Sequence, residues 1–478
     1  MSTILNRLAL FPVAVLLIAF PALAQTLAAG APASPLSRDE FRARVYRQLD
    51  ALAGRATGRV IYTGVTIISP DAPNPRHNMA IIVAGDRIEA VTQMSALDAK
   101  AREGAETYDA AGLYAIPGLI DSHVHNATTP NRPNAEQHLR REIYSGVTAV
   151  RDMAGDVRAL ADLSRSALIN EIPSPDIFYA ALMAGPSFFT DPRTMTASLG
   201  LTPGQMPGMR AITDDTSIPL AVAEARGTGA TGIKIYANLP GPLIKAIITE
   251  ARRQGMPVWS HAQVFPGSPL DPLGSTSVSH ICMIADWVLN PDKQSYSHSD
   301  SPDYSRLTPD NPNVQRYIAA LKQSGSVLDA TLSVYPPRKD LTVTSGDAVR
   351  CPRELAGELT AVAHAAGVPV SAGTDSTSDG ADPWPQLDEE VESLVRFAHY
   401  TPYEAIVAAT RNSAIALGKQ DQMGSIEPGK FANIVLLKYD PLTDIGNLRS
   451  VVVTIKRGHQ FRRSDYIHRP IIDPELGQ

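Results

Sequence analysis

The sequence predicts an α/β protein, a (β/α)8 TIM barrel with a small composite β-sandwich formed from both ends of the mature chain. Three observations carry this expectation. The middle of the chain alternates strand-like and helix-like segments. Short β-rich runs separated by Gly and Asp turns stand on both sides of that middle. Ionisable side chains recur at the ends of successive strand-like runs, where barrels of this kind carry their chemistry. The 478 residues leave room for a barrel of ~250 residues or more together with an accessory unit. Hydrophobic residues make up 44% and charged residues 19%, an ordinary soluble composition with enough apolar material for a large core. The formal charge of −6, without a basic run, argues against nucleic acid or an anionic membrane as a partner.

Taken from the N-terminus, residues 1–24 read as a signal peptide. Arg7 precedes the apolar stretch LALFPVAVLLIAFPALA, which ends in small residues before Gln25. The apolar stretch is short and interrupted by proline, which favours export over a membrane span. The mature protein is therefore expected in a periplasm or outside the cell, with no membrane attachment once the signal is cleaved. Export permits disulfides, but only Cys282 and Cys351 are available, and sequence alone does not pair them. Residues 25–57 form a polar, helix-compatible N-terminal extension. Residues 58–115, with RVIYTGVTIIS and NMAIIVAGDRIEAVT, read as a small antiparallel sheet, the first part of the sandwich. The same texture returns over 421–466, the second part, before a tail at 467–478.

The barrel is assigned to 116–420. Its candidate strands are AIPGLIDSHVH, VTAVRDM, DIFYAALM, GIKIYA, PVWSHA, SVSHI, VLDATLSVY and VPVSAGTDS. Amphipathic stretches such as GPLIKAIITEARRQG and RELAGELTAVAHAAG lie between most of them. The Gly-, Pro- and Met-rich stretch PSFFTDPRTMTASLGLTPGQMPGMRAITDD after the third strand reads as a loop over the barrel mouth. In a strand, residues i and i+2 share a face, so His123 and His125 of HVH project together while Val124 faces the helices. Lys234 lies in the fourth strand, His261 ends the fifth, His280 the sixth and Asp375 the eighth. Taken singly, each has a plain reading. A lone histidine is ordinarily a core or surface residue, a strand lysine can snorkel to solvent, and Asp375 suits a turn or a helix cap. Their joint occurrence at strand ends instead favours a metal site.

These motifs, with GVTAVRDM, GIKIY, GTDS and the closing GSIEPGKFANIVLLKYDPL, resemble the amidohydrolase superfamily over nearly all of the mature chain. Within it, the chain looks like the branch of imidazolonepropionase-like proteins, prolidase-like dipeptidases and ochratoxin-degrading amidases. The resemblance implies a centre of two divalent ions, His123, His125 and Asp375 holding one and His261 and His280 the other. It also implies that Lys234, carboxylated by CO2, bridges them. Burial favours the neutral amine that this reaction needs. Zinc suits such ligands best, and cobalt, manganese or nickel fit the same donors. The expected activity is cleavage of a C–N bond, in an amide or peptide-like substrate such as an N-acyl amino acid or a dipeptide. A bridging metal-bound hydroxide would attack, and Asp375 would shuttle the proton. An ester or lactone hydrolase using the same site is the alternative. A barrel that binds a small-molecule ligand without turnover is a further one. The resemblance also admits a homo-oligomer.

Tyr236 shares the inward face with Lys234, and in prolidase-like relatives the tyrosine of KxY contacts the substrate carboxylate. Packing in the barrel is the plain alternative. Gln263 stands where close relatives carry the second histidine of HAH. Arg151 and Asp152 read as supporting or ion-pair residues. His138, His364 and His399 fall in helical stretches, His77 in a loop and His298 in a Ser-rich loop, and all five read as structural.

Overall fold

The computed structural model describes residues 56, 58–126, 131–290, 302–338, 351–375 and 381–469. The signal peptide, the extension up to residue 55, His298 and the end of the tail lie outside the described residues.

The accessory unit is one hydrogen-bonded sheet drawn from both ends of the chain. Its N-terminal strands are β1 (Arg59–Ser69), β2 (Ala72–Ala84), β3 (Arg87–Gln93), β4 (Glu106–Asp109) and β5 (Tyr114–Pro117). The strand β1 is shared along its length. Val60–Thr63 pair with β4, and Thr66 and Ile67 pair with β5, both in parallel. The expectation of a purely antiparallel sheet is therefore corrected to a mixed one. One long strand feeding two neighbours lets a single ladder enclose its own core, formed by Tyr62, Val65, Ile67, Ile81 and Val83 with Ile434, Leu436, Val453 and Ile455. His77 lies within β2 rather than in a loop.

The barrel strands are β6 (Leu119–Val124), β7 (Val147–Asp152) and β8 (Asp176–Ala184), followed by the hairpin β9 (Gln205–Met206) and β10 (Met209–Ala211). Then come β11 (Gly232–Ile235), β12 (Val258–His261), β13 (Ser277–Ser279), β14 (Val327–Asp329) and β15 (Val370–Ser371). The parallel ladder runs β6-β7-β8-β11-β12-β13-β14-β15. All eight expected strand positions are thus occupied. Closure between the last strand and the first is made by Ser122 N–H donating to Ala372 O at 2.9 Å and Asp375 N–H to His123 O at 2.8 Å. Helices Ile218–Gly227, Gly241–Arg253 and Arg353–Ala365 lie where the amphipathic stretches predicted them. Their inward residues, such as Val222, Ile244, Ile247 and Leu359, join the main core. His399 follows the helix Gln386–Phe397 in a left-handed conformation, φ 59°, and is not helical.

The chain returns to the sandwich through β16 (Ile434–Leu437), β17 (Val451–Lys456) and β18 (His459–Arg462). β16 pairs antiparallel with β5, Ile434 opposite Pro117.

The stretch after β8 is not an irregular loop. The upper half of β8, above the residues that pair with β7, pairs with β10, Met209 opposite Leu182. Its turns pack Phe189, Ala197, Met206 and Met209 against Leu182 and Ala184. Composition rich in Gly, Pro and Met hides this hairpin, because its strands are two and three residues long. Cys282 and Cys351 are joined by a disulfide.

Candidate metal centre

The ends of the barrel strands meet around Asp375. His123 belongs to β6 and is almost wholly buried, whereas His125 lies one residue past the strand and is slightly exposed. The simple strand alternation is therefore corrected. Val124 is packed in the core as expected, but the turn after it, rather than the pleat, aims the second imidazole. His280 and Asp375 also lie beyond their strands, both in left-handed conformations with φ 70° and 50°. His123 Nε2 lies 3.2 Å and His125 Nε2 2.9 Å from Asp375 Oδ1, while His280 Nε2 is 3.9 Å from Oδ2. Ligating atoms of His123, His280 and Asp375 all fall within 4.8 Å of one another. The His261 ring, at the end of β12, is 5.1 Å from that of His280. The six residues form one contiguous group, with Asp375 facing three of the four histidines.

The tautomers can be read from the hydrogen bonds. His123 Nδ1 donates to Asp329 Oδ2 at 2.8 Å, which leaves its Nε2 lone pair facing Asp375. The Thr331 hydroxyl donates to Ala330 O at 2.7 Å, so His280 Nδ1 must be the donor in its 2.8 Å bond to Thr331 Oγ1. Its Nε2 is then also a bare acceptor turned toward the carboxylate. Two such acceptors facing one carboxylate repel it unless a proton or a cation lies between them. This donor set fits a divalent ion bound by imidazole and carboxylate.

Lys234, in β11, is fully buried, and its Nζ has no hydrogen-bond partner among the described residues. Burial, helped by Arg151, lowers its pKa to about 7 against the pull of Asp375, so the neutral amine is accessible. His261 is pushed well below its ordinary value by burial and by Lys234. His280 is pushed down to about 3, again mainly by burial. Burial alone would raise Asp375, but His123 and His280 hold it well below the usual carboxylate range.

Beneath this group sits Asp329, at the end of β14, which sequence reasoning passed over. Its carboxylate accepts from His123, from Ser122 Oγ at 3.0 Å, from Ser279 Oγ at 2.9 Å and from Arg151 Nη2 at 3.1 Å. Arg151 is fully buried, donates to Ser277 Oγ at 2.7 Å and to Ser122 O, and lies over the Trp259 ring. Its supporting role matches the expectation. Despite burial, which would raise it, Asp329 is held at about 2 by His123 and Arg151. The signal in the sequence was one acid in the apolar run VLDA. Asp121 plays a parallel part, accepting from the N–H groups of His123 and Thr374, both at 3.0 Å. Gly373 allows this closeness, since a Cβ there would overlap Asp329 Oδ1 and His123 Cβ.

At the rim, Tyr236 follows β11 and packs edge-on to His261, ring centroids 4.4 Å apart, with Phe188 on its other side at 4.5 Å. Gln263 is buried, and its Oε1 has no hydrogen-bond partner among the described residues.

Comparison with known proteins gives concordant relatives. The profile of the amidohydrolase family matches residues 338–461. An imidazolonepropionase of Ralstonia nicotianae is 24% identical over 384 residues, covering 77% of this chain and 88% of that protein. A 5-methylthioadenosine/S-adenosylhomocysteine deaminase of Teredinibacter turnerae is 31% identical, but over only 30% of this chain and 31% of its own length. Among solved structures, a Xaa-Pro dipeptidase with methionine bound in its active site superposes with a TM-score of 0.64 at 20% identity, covering 84% of this chain and all of that one. That last likeness is one of fold.

Proposed function

We propose that this chain, which resembles amidohydrolases in its profile match at residues 338–461 and in a 24%-identical imidazolonepropionase, is a carbon–nitrogen hydrolase that cleaves an amide or peptide-like bond, as in an N-acyl amino acid or a dipeptide. His123, His125 and Asp375 would hold one divalent ion, and His261 and His280 a second. Lys234 would bridge them as a carbamate, formed when its neutral amine adds to CO2 and releases a proton. Zinc is the ion that the donor set favours. Bound divalent ions polarise a scissile carbonyl and lower the pKa of water. The chain's own residues do the rest. Asp375 takes the proton of the attacking water on its carboxylate and returns it to the leaving nitrogen. Asp329, through Nδ1 of His123, keeps Nε2 of that histidine aimed at the centre.

The observation that carries this reading is the convergence of bare imidazole acceptors on Asp375 beside an unpartnered buried amine. The experiment is a hydrolysis screen of protein loaded with zinc and bicarbonate, using paired N-acyl amino acids, dipeptides, esters and lactones. Amide cleavage with about two metals per chain is expected. Turnover of esters or lactones alone would replace the amide reading. Fewer than one metal per chain, without turnover, would favour a ligand-binding barrel.

We also propose export, on the strength of the N-terminal signal pattern and of the Cys282–Cys351 disulfide, which suits an oxidising compartment. Periplasmic protein beginning at Gln25 is expected on N-terminal sequencing, and uncleaved cytoplasmic protein would overturn it.

A further inference from the structure

Two residues beside the centre hold backbone conformations that L-amino acids avoid, and they touch each other. His280 is the first residue past β13 and has φ 70°. Thr331 is the second residue past β14, the neighbouring parallel strand, and has φ 54°. For a β-branched side chain this left-handed region is especially unfavourable. The two meet through the 2.8 Å bond from His280 Nδ1 to Thr331 Oγ1. The last bond that the barrel ladder offers His280 runs from its own N–H to Asp329 O at 3.0 Å. Conformations of this kind persist only where the surrounding structure over-determines them.

Beyond the ladder, both strand ends are fastened to the head of the helix Arg353–Ala365. On the β13 side, the turn Ile281–Ile284 closes on His280, Met283 N–H donating to His280 O at 2.9 Å. Cys282 of that turn, two residues past His280, is bonded to Cys351. On the β14 side, Arg353 donates from Nη2 to Ser333 O at 3.0 Å and from Nε to Tyr335 O at 2.9 Å. These carbonyls lie two and four residues past Thr331. Glu390, from the helix Gln386–Phe397, completes the hold by accepting from the N–H groups of Leu332 and Ser333 at 2.9 and 2.6 Å. Cys282, Cys351 and Glu390 are all buried. His280 is thus held between two arms that start two residues apart, its backbone by one and its ring by the other.

We propose that Cys282, Cys351 and Arg353 are positioning residues, a bracket that holds the His280 imidazole in place for the second divalent ion. The inference rests on the two-ion reading above and adds a condition to it: the second ion binds fully only when the bracket is closed. A bridge that served stability alone could join the chain anywhere. This one enters two residues from a strained candidate ligand, and a clamp from the same helix head reaches the strained residue that orients its ring. His123 needs no such device, because it lies within β6 and its Nδ1 is fixed by Asp329. The first ion should therefore be indifferent to the bracket.

The test uses the full mature protein and zinc, titrated against a chromogenic chelator well below the unfolding temperature, so that each ion's affinity is read by itself. In the Cys282→Ala/Cys351→Ala double variant one ion should bind about tenfold more weakly, and the other should be unchanged. The weakened ion should be the one that His261→Ala removes. Thr331→Val, which deletes the acceptor of the His280 ring, should reproduce the selective loss, whereas Thr331→Ser, which keeps it, should not. Ile81→Ala or Ile81→Val, in the core of the sandwich sheet, is chosen to match the double variant's loss of melting temperature and should retain both affinities. Both affinities unchanged in the double variant, both lowered alike, or a loss shared by the Ile81 control would overturn the proposal and leave the bridge a brace for the fold alone. Should the double variant fail to fold, Arg353→Met decides, since selective loss of one ion supports the bracket and retention of both overturns it. If the wild-type protein binds a single ion, the two-ion reading has failed separately. The affinity for that ion then decides the positioning role. A loss confined to the bracket variants supports it, and unchanged affinity overturns it.

Discussion

The floor of the centre and its rim are built on opposite terms. On the floor, Asp329 is wholly buried and accepts from three neighbouring side chains and from His123, and Arg151 is as deeply buried beside it. At the rim, Arg193 and Asp191 pair in partial solvent on an insert held by a two-stranded hairpin. Charges buried in a fully bonded network cannot move without leaving a partner stranded, so the floor fixes geometry. Charges at a wet surface contribute little to stability and are free to serve recognition. The contrast teaches where substitutions should abolish chemistry, where they should unfold the protein, and where they should only change preference.

The largest effect should come from the residue between the two regions. Asp375→Asn removes the proposed proton acceptor while keeping its shape, so turnover is expected to fall by ~10²–10⁴-fold with the melting curve little changed. Near-wild-type turnover would remove Asp375 from proton transfer. Next, Asp329→Asn should act on the floor as a whole. It strands the buried Arg151 guanidinium and loosens the His123 tautomer, for a loss of about 3–5 kcal/mol in stability. Zinc affinity should weaken ~10–100-fold, measured by competition with a chelator. Intact stability would show that the floor is no more rigid than the rim. A smaller loss, about 1–3 kcal/mol in denaturant unfolding, is expected for Gly373→Ala, whose added carbon must displace Asp329 or His123.

The sequence made the centre more legible than its support. His123, His125, Lys234, His261, His280 and Asp375 stand out because polar types ending apolar runs are conspicuous in one dimension, and their strand order is linear in the chain. Asp329 ends an apolar run as well, in VLDA, but its role arises only when β14 stands beside β13 and across from β6, bringing Ser279 and His123 to one carboxylate. Such registry is a property of the closed barrel. The left-handed turn at His280 was hidden because no glycine or proline marks the end of the strand in SVSHI, whereas Asp375 is of a type that suits a turn. The insert's hairpin is too short for alternation to show, and the partnering of Cys282 with Cys351 spans 69 residues of intervening chain. His77 lies in a strand rather than a loop because the β1 ladder carries β2 through the prolines at 73 and 75.

Titration of the metal-free protein sharpens the same contrast. Lys234 has its pKa lowered by burial from 10.5 to about 7. Between these values the unfolded chain binds a proton there that the folded one does not, so stability should rise with pH from about 7 to 10.5. Lys234→Met should flatten that rise in unfolding measured across the range, and an unchanged slope would show that the amine is not desolvated. His280, depressed to about 3, has the same sign in a lower window, with stability lost as pH falls from 6.5 toward that value.

The smallest effect should be found where the insert's outer end is pinned. Arg158 pairs with Asp156 at 2.6 Å and donates to Leu199 O at 2.9 Å, with nearly half of its side chain in water. Asp156 is buried, but it keeps its cap bond from the Arg158 N–H when the guanidinium is removed, so the loss is confined to the half-exposed end of the pair and is worth no more than about 1 kcal/mol. Arg158→Met should therefore shift unfolding by less than about 1 kcal/mol and leave zinc binding unaltered, since the hairpin and the 2.9 Å bond from Gly185 N–H to Ala237 O hold the inner end of the insert independently. A large loss of stability or of zinc from so exposed a position would mean that the rim and the floor fold as one cooperative network, and the division of labour drawn between them would fail.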